Sequence, residues 1–245
     1  MYDARYDDER IRSDRFDFVS LMRKYLREDA LLLDLGCGTC RKTEKMAGMV
    51  RAVWATDRSA EMIRKASENL AAGQISNVTL VMTDNHNTPF PARFFDICTA
   101  CLTSWSAAEA CRVLKPGGLF LIETLCPEDK QEIKRLFPDD RIGKRGYLSN
   151  QDTRERMLYL TTELGAFFEI LDTQTVTSET TLPLEGLLTL LELTPTIRGF
   201  DRESDSGRLA SLVKNDTVTF TERRIYIAAK AKPPRAQGDP SGRTV

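Results

Sequence analysis

The 245-residue chain contains no run of about 18 apolar residues, so no membrane-spanning helix is expected. Its opening residues, Met-Tyr-Asp-Ala-Arg-Tyr-Asp-Asp-Glu, lack the apolar core of a secretion signal. It also lacks a charge excess: 35 basic and 36 acidic side chains leave a net charge of −1, which argues against a broad nucleic-acid-binding face. There are no internal repeats, and histidine is represented once, by His86. What is present is an ordinary globular balance, with 41% hydrophobic and 29% charged residues. A chain this long buries roughly 70–75% of its unfolded surface, enough to fold without metal or disulfide staples. Six cysteines without a secretion signal point to reduced thiols and a cytoplasmic setting.

Hydrophobic patterning predicts a leading helix over 8–27, followed by the continuous apolar run Leu31–Leu35. Such a run, ending at glycines, is the pattern of a strand buried on both faces of a parallel sheet. Further strands are predicted at Ala52–Thr56, Val78–Met82, Asp96–Leu102, Leu119–Leu125, Phe167–Val176 and Thr217–Ala231. Helices are predicted at Arg41–Met49, Ala60–Ala72, Ser106–Val113, Glu128–Leu136 and Gln151–Leu164. Alternation of this kind implies an α/β domain, with helices covering both faces of a doubly wound sheet. Residues 182–207, which include an amphipathic helix over Leu184–Leu193, read as an insertion and as a cap over a substrate. The domain is expected to span 1–231, and the proline- and glycine-containing residues 232–245 read as a disordered tail.

The chemistry concentrates around Asp34-Leu35-Gly36-Cys37-Gly38-Thr39, at the end of the first strand. Gly36 and Gly38 permit a sharp turn and close approach of backbone to ligand, and ligands of open parallel sheets sit at this end of the strands. Nucleotide and dinucleotide sites share the pattern. The third glycine of the dinucleotide fingerprint is missing, however, with Arg41 in its place. That substitution disfavours a pyrophosphate and leaves an NAD-linked oxidoreductase as a poorer reading. Asp57, closing the second strand, is placed to accept both hydroxyls of a ribose, a feature common to NAD and other adenosine ligands. Asp84 and Asn85 end the third strand, where an acid can accept from the amine of adenine.

Asp34–Gly38, Asp57, Asp84, Phe95-Asp96 and Arg112-Val113-Leu114-Lys115-Pro116-Gly117-Gly118 together resemble the class I S-adenosylmethionine (SAM)-dependent methyltransferases. Within that family the likeness is to the methyltransferase type 11 group, which includes the ubiquinone- and menaquinone-biosynthesis enzymes. The resemblance covers Leu31–Leu125 and implies a Rossmann-like, seven-stranded, mainly parallel sheet whose last strand runs antiparallel. It implies SAM as cofactor, with Gly36, Cys37 and Gly38 at its methionine part and Asp34 holding the ammonium. By the same resemblance Asp57 and Arg58 lie at the ribose, Asp84 and Asn85 at the adenine, and Met62 beneath it. Cys101 and Leu102 contribute backbone near the methionine end. The family usually has a longer stretch where Leu102–Ser106 passes directly into a helix, so no catalytic residue is assigned.

Other signals have plainer readings. Cys37-x-x-Cys40 with Cys98-x-x-Cys101 suggests a four-thiolate zinc site, but a metal there would occupy the cofactor cleft, and no metal is expected. His86 is a candidate general base or simply a loop residue. Tyr2 and Tyr6 are either a lid over the cofactor or partly exposed aromatics. Trp105 either lines the acceptor pocket or packs. Arg141, Lys144 and Arg145 read as a solvated basic loop. Leu187–Pro195 has a short likeness to ribosomal-RNA guanine-N1 methyltransferases; their N-terminal zinc module has no counterpart here, since no cysteine precedes the first strand. The expected partner is therefore a small-molecule acceptor, with RNA second and a non-catalytic SAM- or nucleotide-binding protein as the alternative class. A monomer or homodimer is expected.

Overall fold

The computed structural model describes residues 17–137, 146 and 152–233. The strands are β1 (Leu31–Leu35), β2 (Ala52–Asp57), β3 (Val78–Met82), β4 (Phe95–Cys101), β5 (Leu114–Leu125), β6 (Phe168–Pro183), β7 (Val213–Lys214) and β8 (Thr217–Ala231). They form one sheet in the order β3-β2-β1-β4-β5-β8-β6, with the two-residue β7 paired to β8. The β1, β2, β3, β4 and β5 pairings are parallel, and β8 runs antiparallel to both β5 and β6. The doubly wound sheet and its reversed last strand are thus as expected, with β7 as an addition.

Side chains alternate between two cores, as the period of two requires. Leu31, Leu33 and Leu35 of β1 face the cluster that also holds Phe95, Phe120, Ile225 and Ile227. This face is covered by α4 (Ala107–Val113) and α6 (Thr153–Gly165). Leu32 faces the other cluster, with Ile97, Leu121 and Tyr226, under α1 (Phe18–Met22), α2 (Arg41–Ala47) and α3 (Ala60–Ala72). Both faces of β1 are buried, which is why its sequence runs apolar without alternation.

Local signals explain most helix limits. Ser59 caps α3 by accepting from the Met62 N–H, Ser106 caps α4 through Glu109, and Asp152 with Glu155 forms a capping box on α6. The helix expected over 128–136 shortens to α5 (Gln131–Lys134), because Lys130 adopts a left-handed φ of 54°. The strand expected to stop at Val176 continues to Pro183, pairing with β8 throughout. Of the leading helix, α1 and a 3₁₀ turn at Arg23–Tyr25 are seen, and its predicted start lies outside the described residues. So do Tyr2, Tyr6, Arg141, Lys144, Arg145 and the tail from 234 onward.

Beyond the end of β5, where Leu125 meets Arg224, β6 and β8 continue as a two-stranded ribbon. This ribbon carries α7 (Leu184–Leu193), α8 (Arg202–Asp205) and a 3₁₀ helix at Ser206–Leu212. A third core of Ile133, Phe137, Leu187, Leu191, Leu209 and Phe220 seals the inserted segment against α5 and β8. Such a satellite core gives the insertion its own apolar support at the carboxyl-end side of the sheet.

Glu109 ties α4 to the loop ahead of β4. It accepts from the Thr88 N–H at 2.8 Å and the Thr88 hydroxyl at 2.6 Å, and pairs with Arg112 at 2.7 Å. Burial pushes its carboxyl up, but the Arg112 and Thr88 hydrogen bonds outweigh this and hold it at about 2, against an ordinary 4.5. A depressed folded pKa gives stability that is complete above about 4.5 and is lost as pH falls through about 2. Glu109→Gln should therefore lower the melting temperature at pH 7, with the gap from wild type narrowing progressively below pH 4.5. A gap that stays constant across that window would remove the assignment.

Candidate functional site

The carboxyl ends of β1, β2 and β4 carry the glycine loop, the Asp57 turn and the Leu102–Ser106 loop. β1 and β4 are neighbours in the sheet although the chain visits β2 and β3 between them. This is the point where strand order reverses, and the crevice there is the usual ligand site of such sheets.

Gly36 has a φ of +67°, and a Cβ added to it would lie 2.3 Å from the Thr103 hydroxyl oxygen. Its missing side chain lets the loop after β4 close against the loop after β1. Gly38 also has a positive φ, +53°, but an added Cβ there meets no protein atom within 4 Å. The first glycine is therefore demanded by the protein's own packing, whereas the second leaves room for a ligand to approach. Cys40, with φ 66°, turns the chain into α2.

Asp57 organises this loop. One carboxylate oxygen accepts from the Gly38 N–H at 3.1 Å, and the other accepts from the Ser59 N–H at 2.9 Å. A carboxylate has about four lone-pair sites, so two such bonds leave capacity for two hydroxyls of a ligand. The Cys37 N–H donates to the Thr56 carbonyl at 2.8 Å, binding the loop to β2 through the backbone as well. Arg58 beside Asp57 is exposed, and Met62 lies half-buried in the first turn of α3.

Asp34 is 3% exposed, with one carboxylate oxygen accepting from Thr43 at 2.6 Å and the other from Thr99 at 2.7 Å. Burial raises its pKa and the two hydroxyls oppose the rise. It fixes α2 and β4 to β1, and the ammonium contact implied by the family resemblance would be a third partner. Thr43 and Thr99 escaped the sequence reading, although a threonine inside the apolar β4 was a visible anomaly.

Asn85 bridges the walls. Its amide donates to the Thr103 hydroxyl and the Ser104 carbonyl, each at 3.1 Å, and its side-chain oxygen accepts from Thr56 at 3.3 Å. Asp84 is exposed, accepting from the His86 N–H at 2.7 Å and lying 3.0 Å from its ring Nδ1. The backbone and ring contacts from His86 hold its carboxyl below the usual range. His86 thus sits at the β3 end of the crevice, away from β5. Leu102, with φ 52°, donates its N–H to the Glu123 carbonyl at 2.9 Å.

Cys98 packs into one core and Cys101 against the other, so their side chains leave β4 on opposite faces. That geometry does not bring the two Cys-x-x-Cys pairs around one ion. Cys37 and Cys40 are near neighbours whose mutual hydrogen bond, with burial, pushes the Cys37 thiol up. Trp105 packs edge-on to Phe120 at 5.5 Å.

Residues 32–118 match a family described as "Methyltransferase domain". Among curated proteins, the probable cobalt-precorrin-6B C(15)-methyltransferase (decarboxylating) of Methanothermobacter thermautotrophicus is 33% identical over 112 residues. That match covers 44% of this chain and 58% of the relative. The ubiquinone/menaquinone biosynthesis C-methyltransferase UbiE of Bordetella parapertussis is 32% identical over 110 residues, 41% of this chain and 42% of the relative. The chain therefore spans about half the length of these curated relatives. A SAM-dependent methyltransferase from Aquifex aeolicus superposes with a TM-score of 0.54 at 15% identity, covering 93% of this chain and 99% of that one. At that identity the likeness speaks for the fold.

Proposed function

We propose that this chain is a class I SAM-dependent methyltransferase and that it transfers the methyl group of SAM to an oxygen, nitrogen or carbon of a small-molecule acceptor. The observation that carries this reading is Asp57, with hydrogen-bonding capacity to spare, set against a Gly38 that admits a ligand. In this reading Asp57 accepts the ribose hydroxyls, Gly36–Gly38 with Cys101 and Leu102 border the methionine end, and Asp84 meets the adenine amine. Arg58 and Met62 flank the ribose and adenine. SAM supplies a methyl group already activated by its sulfonium. The protein's contribution is alignment and exclusion of water, which accounts for a well-formed cofactor half without an evident catalytic base.

The segment 182–207, mounted on the β6–β8 ribbon beyond β5, is proposed as the cap over the acceptor. A near-neutral charge and an apolar-cored cap favour a small molecule over a polyanion. The test is incubation with SAM labelled in its methyl group, offered a small-molecule extract and, separately, total RNA. Label is expected in the small-molecule fraction. Label in RNA would replace the acceptor class, and tight SAM binding with transfer to neither would favour a binding protein without catalysis.

A further inference from the structure

The sheet register sets Cys101, Glu123 and Tyr226 side by side at the carboxyl ends of β4 and β5 and on the adjoining β8. They share the face toward α1 and α2, as Leu121 does. Glu123 interrupts an otherwise apolar row, and its side chain is only 1% exposed. A buried carboxylate is expensive to desolvate, and an apolar residue of similar volume often serves stability as well or better. Fold stability alone therefore does not explain its presence.

Its partners suggest what does. One carboxylate oxygen pairs with Lys42, in the first turn of α2 directly after the glycine loop. The other lies 3.8 Å from the Arg224 guanidinium on β8. The Lys42 ammonium also sits over the Phe18 ring, 5.6 Å from its centroid. Through its main chain, Glu123 accepts the Leu102 N–H at 2.9 Å, where the left-handed turn begins the loop that reaches Thr103. One residue thus holds both walls of the crevice, the glycine-loop wall by its side chain and the β4-loop wall by its carbonyl. Beside it the Tyr226 hydroxyl is buried without a hydrogen bond of ordinary geometry, and burial together with the neighbouring Glu123 carboxylate pushes its pKa up.

We propose that the Glu123–Lys42 pair is a positioning device that sets the width of the crevice at the methionine end, and so selects ligands carrying the amino-acid portion of the cofactor. The proposal rests on the SAM reading of the cleft. It predicts a selective defect, because the adenosine end is held independently by Asp57 and the β3 loop.

The test is calorimetric titration of wild type, Glu123→Gln, Lys42→Met and Lys42→Arg with two probes. S-adenosylhomocysteine carries the amino-acid portion, and 5′-methylthioadenosine lacks it. Glu123→Gln and Lys42→Met should each weaken S-adenosylhomocysteine by about tenfold or more while leaving methylthioadenosine within about twofold. Lys42→Arg, which keeps the charge, should recover most of the loss. Thermal unfolding of each variant checks that the fold is retained. Equal loss for both probes would mean a general structural role and overturn the proposal, as would unchanged binding of both. Wild type that bound neither probe would overturn the cofactor reading and this proposal with it, an outcome distinct from the other two.

Discussion

Replacing Asp57 by alanine should weaken SAM binding by about 30-fold or more, corresponding to a loss on the order of 2–5 kcal/mol. Two losses combine in that figure. On the proposed ribose assignment the ligand hydroxyls would lose a charge-assisted acceptor, and the Gly38 and Ser59 N–H groups would lose the carboxylate that now holds them. Asp57→Asn separates the two. Its remaining carbonyl can still accept from one backbone N–H, so it should retain more of the loop's order than alanine does while losing the charge. Calorimetry against SAM, paired with the melting temperature of each variant, checks the expectation. Unchanged affinity in Asp57→Ala would discard the ribose assignment.

The second large effect belongs to Gly36, and its contrast with Gly38 makes it informative. Gly36→Ala forces a Cβ to within 2.3 Å of the Thr103 hydroxyl oxygen and 2.6 Å of its Cβ, at a φ of +67°. Left-handed backbone costs an L-residue about 1–2 kcal/mol before any collision is counted. For a chain of this size each kcal/mol lowers the melting temperature by roughly 2–4 °C, so a fall of about 5 °C or more is expected once Thr103 is displaced. Because Thr103 also receives the Asn85 amide, the crevice should loosen and SAM affinity fall about tenfold or more. Gly38→Ala meets no protein atom within 4 Å. It should melt within a few degrees of wild type, near the conformational term alone, yet bind SAM weakly because the new methyl group enters the ligand's space. Equal melting losses at the two positions would contradict the division of roles.

The geometry of the glycine loop and of Asp57 was legible in the sequence because it is local. A buried run ending in Gly-x-Gly, and an acid closing the next strand, state their geometry within a few residues. Strand and helix limits from β1 to β4 were legible for the same reason: periodicity and caps such as Ser59 and Ser106 act over one turn. The second half of β6 was not. Thr177-Ser178-Glu179-Thr180-Thr181 has no apolar alternation, and it is a strand because β8 supplies its partner over the whole length. The helix expected over 128–136 overran because its pattern was acceptable, while the left-handed Lys130 that interrupts it was invisible in composition.

Within the site, what escaped were relations across the sheet. Thr43 and Thr99 hydrogen-bond Asp34 from nine and 65 positions away, and Lys42 finds Glu123 across 81. No spacing rule announces such pairs. A charged residue within the apolar run Leu119–Leu125 and a threonine inside β4 were the available hints, and both mark places where tertiary structure supplies a partner.

The central claim is that this crevice is a SAM site, and calorimetric titration of the purified protein with SAM, S-adenosylhomocysteine and NAD tests it most directly. Micromolar binding of the first two without measurable binding of NAD is the predicted result, since Arg41 stands where a pyrophosphate-binding helix would carry glycine. Binding of NAD in their place, or of none of the three, would contradict the account.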